Sequence, residues 1–234
     1  NALPTPSITG PTVACKNSTV TLTAAGGDSY VWSTGETTQS ITPIIYSTTT
    51  YTVTVKNSNN CEATTIHTVT MNPAPTATIA GDLDICVGQN TTLTASGGAS
   101  YKWLHGPTTA SITVSPAATT TYEVEVTDAN GCKSTATSTV VVNPLPTASI
   151  TGDAEVCEGS SVQLTATGGV SYLWTPGNMT SQTVDVSPTV NTVYSVVVTG
   201  NGGCTATANH AVTVKQIVGL GISGATTSCA GEPV

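Results

Sequence analysis

The amino-acid sequence predicts an all-β protein in which one small module is written three times. The segment LTAAGGDSYVW at Leu22–Trp32 returns as LTASGGASYKW at Leu93–Trp103 and as LTATGGVSYLW at Leu164–Trp174. The tryptophans that end these segments are 71 residues apart each time. Apolar and polar residues alternate along most of each repeat, and no segment has helical periodicity, which is typical of half-buried strands.

Short proline-spaced segments separate the repeats. They read NALP at 1–4, NPAP at 72–75 and NPLP at 143–146, and such segments form stiff, extended connectors. Because residue 1 falls inside this pattern, we interpret the chain as an excised or mature segment of something longer. We expect an extended row of modules at 1–72, 73–143 and 144–215, followed by the linker and first strand region of a truncated fourth module at 216–234.

Each module is predicted to begin with a short strand, a glycine and a cysteine, as in Ser7–Cys15. A half-buried strand follows, since Val20, Leu22 and Ala24 alternate with threonines. A Gly-Gly turn then leads into the Tyr-x-Trp strand and a shorter alternating piece. The module ends with a strand such as Tyr51–Val55, an Asn- or Gly-rich hairpin turn and a threonine-rich strand that reaches the linker.

This order of strands resembles the immunoglobulin-like sandwich. In that family a Trp packs in the core against a disulfide, and a Tyr near the start of the sixth strand bonds back to nearby backbone. The two usual disulfide positions hold apolar residues here, such as Ala24 and Val53. The resemblance implies that three tryptophans and three tyrosines belong to the cores, namely Trp32, Trp103, Trp174, Tyr51, Tyr122 and Tyr194.

The finer motif resembles the tandem immunoglobulin-like repeats of very large secreted and surface proteins of Bacteroidota. It runs from a cysteine through Leu-Thr-Ala, Ser-Tyr-x-Trp and Thr-x-Tyr-x-Val-x-Val to a second cysteine and an Asn-Pro-x-Pro linker. Those proteins are typically exported by the type nine secretion system and include adhesins. The resemblance implies an extracellular or cell-surface stalk or adhesin.

The seven cysteines fall into two classes. The early cysteines precede the Leu-Thr-Ala strand of each module, at Cys15, Cys86, Cys157 and Cys229. The late cysteines follow the Tyr-x-Val-x-Val strand, at Cys61, Cys132 and Cys204. Regular pairs in small modules are typical of disulfides in an oxidising compartment, so we assign all seven to disulfides. Zinc is disfavoured because no nearby Cys or His completes a ligand cluster.

Two disulfide connectivities remain open. Two cysteines per module favour bonds within a module, such as Cys15 with Cys61. The fold favours bonds between successive modules, because the early and late positions lie at opposite ends of a sandwich, roughly 20 Å apart, whereas a disulfide needs Cα atoms within about 6.8 Å. The second scheme pairs Cys15 with Cys132 and Cys86 with Cys204, and leaves Cys157 and Cys229 for partners further along.

Composition excludes several classes of partner. The formal net charge of -8 has the wrong sign for binding nucleic acid or an anionic membrane surface. No apolar run approaches the ~20 residues of a membrane-spanning helix, so we predict no membrane insertion. Charged residues make up only 8% of the chain, and we expect threonines to cover the outer faces of the strands instead.

The remaining chemical candidates have simpler interpretations. His67 and His210 occupy equivalent positions in the last strand and His105 lies in a loop, so no catalytic triad or metal site is predicted. Three Asn-x-Thr/Ser sequons are interpreted as turn chemistry. Carboxylates near the linkers, at Asp82, Asp84, Asp128, Asp153 and Glu155, could bind calcium, but module 1 has Pro11 and Ala14 where carboxylates like Asp82 and Glu155 would be needed. We therefore predict no cofactor and no metal.

We predict a non-enzymatic, extracellular repeat protein that acts as a stalk, fibre segment or adhesin, since no nucleophile–base or carboxylate pair clusters. Expected partners are other modules of the same or neighbouring chains, surface glycans or other cells. The alternative is an accessory spacer or carbohydrate-binding region of a secreted polysaccharide-degrading enzyme. That alternative requires Trp or Tyr side chains open to solvent on one face, whereas the core assignment requires buried tryptophans.

Overall fold

The computed structural model describes residues 2–104 and 106–216, and the regular secondary structure of these residues is β-strand except for one 3-10 turn. Cys229, His105 and nearly all of the predicted fourth module lie outside the described residues. The chain divides into two compact units. Of the described residues, one unit comprises 2–83 and 88–141 without residue 105, and the other comprises 84–87 and 142–216.

Module 1 folds as two mainly antiparallel sheets, one of three strands and one of four. The first sheet has the order β1-β3-β5 and the second β2-β7-β6-β4, with only β2 parallel to its neighbour. The strands are β1 (Ser7–Thr9), β2 (Val13–Cys15), β3 (Leu22–Ala25), β4 (Ser29–Trp32), β5 (Ser40–Ile41), β6 (Thr49–Lys56) and β7 (Glu62–Asn72).

Module 2 repeats this arrangement, with sheets β8-β10-β12 and β9-β14-β13-β11. Its strands are β8 (Thr78–Ala80), β9 (Asp84–Cys86), β10 (Thr91–Ser96), β11 (Ser100–Trp103), β12 (Ser111–Val114), β13 (Thr120–Thr127) and β14 (Lys133–Asn143).

Module 3 has sheets β15-β17-β19 and β16-β21-β20-β18, and a short 3-10 turn at Asn201–Gly203. Its strands are β15 (Ser149–Thr151), β16 (Glu155–Cys157), β17 (Val162–Thr167), β18 (Ser171–Thr175), β19 (Thr183–Val186), β20 (Thr192–Thr199) and β21 (Thr205–Lys215). The predicted fold, an all-β chain of immunoglobulin-like sandwich modules, is confirmed.

Alternation along the strands builds each core. In β6 the side chains of Tyr51, Val53 and Val55 are buried, and the residues between them are partly exposed. The positions that hold a disulfide in the resembling family are filled by buried Ala24 and Val53, and the other modules repeat this. Hydroxyl pairs such as Thr50 with Thr68, 2.9 Å apart, cover the outer face where other proteins carry charges.

All three tryptophans lie in these cores, and none is more than 2% exposed. Each indole N–H donates a hydrogen bond to a backbone carbonyl six or seven residues later: Trp32 to Thr38, Trp103 to Thr109 and Trp174 to Ser181, at 2.8 to 2.9 Å. Their polar atom is therefore satisfied inside the protein, as a buried Trp requires.

The tyrosines differ from the expectation in two respects. Tyr51 and Tyr194 are buried, and burial raises the pKa of Tyr194, but Tyr122 is only half-buried. The hydrogen bonds back to nearby backbone come from the other tyrosines. The hydroxyls of Tyr30, Tyr101 and Tyr172 donate to the carbonyls of Gly27, Gly98 and Gly169 at 2.8, 3.0 and 2.9 Å.

Candidate functional site: the cysteine-bearing ends of the modules

The late cysteines lie at the tight turn between the sixth and seventh strands of each module. In module 1, the Asn57 Oδ1 accepts hydrogen bonds from the N–H groups of Asn59 and Cys61, both at 3.0 Å. In module 2, the Asp128 Oδ1 accepts from Asn130 and Cys132, both at 2.8 Å. One side-chain oxygen thus fixes the turn and presents the cysteine.

In every module the late-cysteine turn lies beside the linker that enters that module. The Asn57 amide donates to the Ala2 carbonyl at 3.0 Å in module 1. The Ser134 hydroxyl, next to the turn of module 2, donates to the Pro75 carbonyl at 2.7 Å. In module 3, Gly200 packs against Pro146. We call this the incoming end of a module.

The repeated Gly-Gly-x-Ser-Tyr segment also belongs to the incoming end, which was not expected from the sequence. Gly97 has φ +105° and lies so close to the Thr76 carbonyl that an added Cβ would collide with it. Gly26 and Gly168 are placed in the same way against Thr5 and Thr147. The first glycine has no Cβ, so the first residues after the linker can pass directly over the Gly-Gly turn. The tyrosine hydroxyl of the same segment donates to the carbonyl of the second glycine.

The early cysteines lie at the opposite, outgoing end, beside the last residue of the last strand. Parallel pairing of β2 with β7 sets Cys15 against Asn72, and the Lys16 N–H donates to the Asn72 carbonyl at 2.8 Å. In module 3 the same pairing sets Cys157 against Lys215. The early cysteine therefore lies where the chain leaves its module.

This placement rules out a bond between the two cysteines of one module. Cys61 precedes the first residue of β7 and Cys15 pairs with its last residue, so all 11 residues of the strand lie between them. At about 3.3 Å per residue this is roughly 35 Å, far beyond the reach of a disulfide.

The structure contains the bonds between successive modules instead. Cys15 bonds Cys132 with a Cα–Cα distance of 5.5 Å, and Cys86 bonds Cys204 with a Cα–Cα distance of 5.6 Å. Each bond joins an early cysteine to the late cysteine of the next module, which is the pairing that incoming and outgoing ends allow. Cys132 and Cys204 are each only 1% exposed.

Cys61 and Cys157 are free thiols in this structure, and Cys229 lies outside the described residues, so the assignment of these three cysteines to disulfides stays a prediction. Cys61 is a late cysteine and Cys157 is an early one. The other early cysteines among the described residues, Cys15 and Cys86, are bonded, and so are the other late cysteines, Cys132 and Cys204. Both free thiols are accessible, with Cys61 half-buried and Cys157 exposed.

The incoming turn of module 3 is built differently from the other two. Gly200 replaces the Asn or Asp acceptor, and the turn passes so close to Asn143 that a Cβ on Gly202 would collide with the Asn143 amide. The Asn143 amide donates a hydrogen bond to the Asp84 carboxylate. A linker asparagine and a carboxylate thus hold this turn next to the Cys86–Cys204 bond.

Charges at the ends form exposed ion pairs. At the outgoing end of module 3, Lys215 Nζ donates to Glu155 Oε2 at 2.6 Å. This hydrogen bond, and secondarily the negative charge of Glu155, raise the pKa of Lys215. At the incoming end of module 2, the hydrogen bond from Lys133 Nζ at 2.8 Å lowers the pKa of Glu125. Exposed pairs of this kind contribute little to stability.

The other sequence candidates are not brought together. His67 and His210 contact the carbonyls of Pro11 and Asp153 through Nε2, at 3.0 and 3.3 Å. No group of three or more His, Cys, Asp or Glu side chains within the described residues is arranged to hold a metal ion. Nor does the described part of the chain include a helix long and apolar enough to cross a membrane.

Comparison with known proteins gives only distant structural matches. No protein-family model matches the chain, and no curated protein matches it. A 1.5-MDa bacterial ice-binding adhesin is similar over 92% of this chain and 99% of that chain, with 16% identity and a TM-score of 0.37.

Two further solved structures have similar sequence identities and TM-scores. A Ca2+-stabilised adhesin of an Antarctic bacterium has 18% identity and a TM-score of 0.40 over 92% of this chain and 75% of that chain. The I-band fragment I67–I69 of titin has 11% identity and a TM-score of 0.39 over 92% of this chain and 100% of that chain. All three TM-scores are below 0.5, so no partner or activity is carried over from these proteins.

Proposed function

We propose that this chain is a non-enzymatic structural and adhesive repeat region of an extracellular surface protein, whose disulfides transmit tension from one module to the next. The observation that carries the proposal is the connectivity. Each disulfide spans 117 or 118 residues and ties the outgoing end of one module to the incoming end of its successor. A bond at that place adds a second covalent connection between two successive modules, which the linker alone would otherwise join.

The covalent path explains why such bonds suit a load-bearing stalk. With both disulfides intact, the shortest path from Cys15 to Cys204 uses only the about 46 residues between Cys86 and Cys132. In the reduced chain that path is about 189 residues long. Most of modules 1 and 3 is therefore shielded from unfolding under force, because the disulfides bypass it.

An extracellular or cell-surface location follows from the same bonds in this proposal, since disulfides persist in oxidising compartments. Export through a type nine secretion system in a Bacteroidota cell is the specific route that the sequence motif suggests. Partners in this setting are other modules, surface glycans or other cells.

The distribution of aromatic side chains favours this function over a carbohydrate-binding one. The chain has three Trp, seven Tyr and no Phe, and all of these lie within the described residues. Only Tyr46 among them is exposed, at 64%. A stacking platform for sugars needs several exposed rings on one face, and a single tyrosine does not provide one.

Single-molecule stretching of the chain from its two ends tests the proposal. We expect reduction with dithiothreitol to add about 490 Å of extensible length, because about 143 residues are released at ~3.4 Å each. The control is the Cys61→Ser/Cys157→Ser variant, which keeps both disulfides and should show the same gain. Equal extension before and after reduction would show that the disulfides carry no load.

A further inference from the structure

The chain contains two Asn-Gly dipeptides, and both lie in late-cysteine turns. They are Asn130–Gly131 in module 2 and Asn201–Gly202 in module 3. The side-chain amide of such a pair can be attacked by the glycine nitrogen, because glycine has no Cβ to obstruct the five-membered ring that forms. All four residues are exposed, so water reaches both pairs.

The turn of module 2 restrains its Asn-Gly pair. The Gly131 N–H donates to the Asp128 carbonyl at 3.2 Å, and the Asn130 N–H donates to the Asp128 Oδ1 at 2.8 Å. The Gly131 nitrogen must lose its proton and turn toward the Asn130 side chain before it can attack. Reaction at Asn130 therefore requires that the hydrogen bond from Gly131 be broken first.

The turn of module 3 lacks this restraint. Gly200 stands where module 2 has Asp128, so no side-chain oxygen closes the turn. The pair lies in the 3-10 turn Asn201–Gly203, which follows Gly200 as its N-cap. Backbone N–H groups at the start of a 3-10 turn have no acceptor within it. The Gly202 nitrogen is therefore not held by a turn hydrogen bond as the Gly131 nitrogen is.

The backbone around Asn201 is also easier to rearrange. Asn201 is preceded by Gly200 and followed by Gly202 and Gly203, and the last two have φ values of +63° and +74°. A Cβ added to Gly203 would meet no atom within 4 Å. Since glycine adopts left-handed and right-handed conformations about equally readily, the chain can bring the Gly202 nitrogen to the Asn201 side chain at little cost.

We propose that Asn201 is a site of spontaneous deamidation, and that Asp128 protects Asn130 from the same reaction. The inference is independent of the proposed function. The Gly202 nitrogen bonds the Asn201 Cγ, the Cγ–Nδ2 bond breaks, and Nδ2 leaves as ammonia with the proton that the Gly202 nitrogen gave up. Water then opens the cyclic imide at either carbonyl and yields aspartate or isoaspartate, so no oxidant or reductant is needed.

The modification changes the turn that carries Cys204, which is bonded to Cys86. Isoaspartate routes the backbone through its side chain and lengthens the turn by one methylene. Either product also adds a carboxylate to a turn that already lies beside one, because a Cβ on Gly202 would come within 3.0 Å of Asp84 Oδ1. Both changes loosen the packing of this turn on Asp84 and leave the disulfide in place.

The test measures deamidation at both sites in the unmodified full chain. The protein is kept in mildly alkaline buffer, and peptide mapping by mass spectrometry follows the exchange of amide for acid at each asparagine. We expect Asn201 to react at least about fivefold faster than Asn130, the factor that corresponds to one backbone hydrogen bond of typical net strength. In the reduced chain in concentrated urea the two sites should react at similar rates, because only the fold distinguishes them.

Two variants exchange the acceptor between the turns. We expect Asp128→Gly to raise the rate at Asn130 toward that at Asn201, and Gly200→Asp to lower the rate at Asn201. Asp128→Asn is the control, because it keeps a side-chain oxygen and should leave Asn130 slow. Equal rates at the two sites of the folded chain, or a faster reaction at Asn130, would overturn the proposal. That comparison needs no substitution, so it holds even if a variant fails to fold.

Discussion

The late-cysteine turns of modules 1 and 2 share their internal hydrogen bonds and differ in what surrounds them. In both turns a side-chain oxygen, from Asn57 or Asp128, accepts two backbone N–H groups. Cys132 is bonded and 1% exposed, whereas Cys61 is a free, half-buried thiol. The turn therefore forms without a disulfide to a neighbouring module, and the module that bonds Cys132 adds only the cover and the bond.

Thiol labelling of the native protein gives the largest contrast between the two turns. We expect a maleimide to modify Cys61 and Cys157 completely without denaturant, and to leave the four bonded cysteines unmodified until the protein is reduced. Peptide mapping by mass spectrometry assigns the labels to individual residues. Labelling of Cys132 before reduction would mean that its bond to Cys15 is not formed in solution.

Removing the bonded and the unbonded cysteine pairs in separate variants measures how much the bond to the neighbouring module adds to the free energy of unfolding. We expect Cys15→Ser/Cys132→Ser to destabilise modules 1 and 2 by about 2–4 kcal/mol, since the bond closes a loop of 117 residues. The matched Cys61→Ser/Cys157→Ser variant also removes two sulfurs and should change stability by less than about 0.5 kcal/mol. Thermal unfolding in non-reducing buffer compares them, and equal losses would contradict the distinction.

Substitution of the turn acceptors tests whether the turn forms without its neighbour. We expect Asp128→Ala to cost about 1–2 kcal/mol, because two N–H groups lose a charged acceptor, and Asn57→Ala to cost about 1 kcal/mol. Asp128→Asn is the control, and it should keep most of the stability because Asn57 performs the same role in module 1. If Asn57→Ala left the stability and the amide exchange of Asn59 and Cys61 unchanged, the turn would not depend on this side chain.

The ion pairs beside these turns should give the smallest effect. The hydrogen bond from Lys133 lowers the pKa of Glu125, so the stability it contributes is present above the pKa of the unfolded chain. That contribution is lost as the pH falls through the lower pKa of the folded state. We expect Lys133→Gln to raise the Glu125 pKa in an NMR titration, with a change in unfolding free energy too small to resolve for this exposed pair. An unchanged pKa would mean that Lys133 does not hold the carboxylate in solution.

The strands, the cores and the two classes of cysteine can be assigned from the amino-acid sequence alone. Burial in a strand follows a period of two residues, so Val53 and Val55 can be assigned to the core from local spacing alone. The threefold repeat then placed Trp32, Trp103 and Trp174 at equivalent positions, and all three are buried. These properties depend on neighbours in the chain, which a sequence records directly.

Which groups meet across the ends of the modules depends on the tertiary structure. The pairing of Cys15 with Cys132 rather than Cys61 depends on which end of β7 each cysteine occupies, and therefore on the parallel pairing of β2 with β7. Likewise, the tyrosine that bonds back to the backbone is Tyr30 and not Tyr51, because the Gly-Gly turn brings the Gly27 carbonyl within its reach. The disulfide joins residues that are far apart in sequence, and the tyrosine hydrogen bond depends on the geometry of a turn. The spacing of residue types along the chain encodes neither distance.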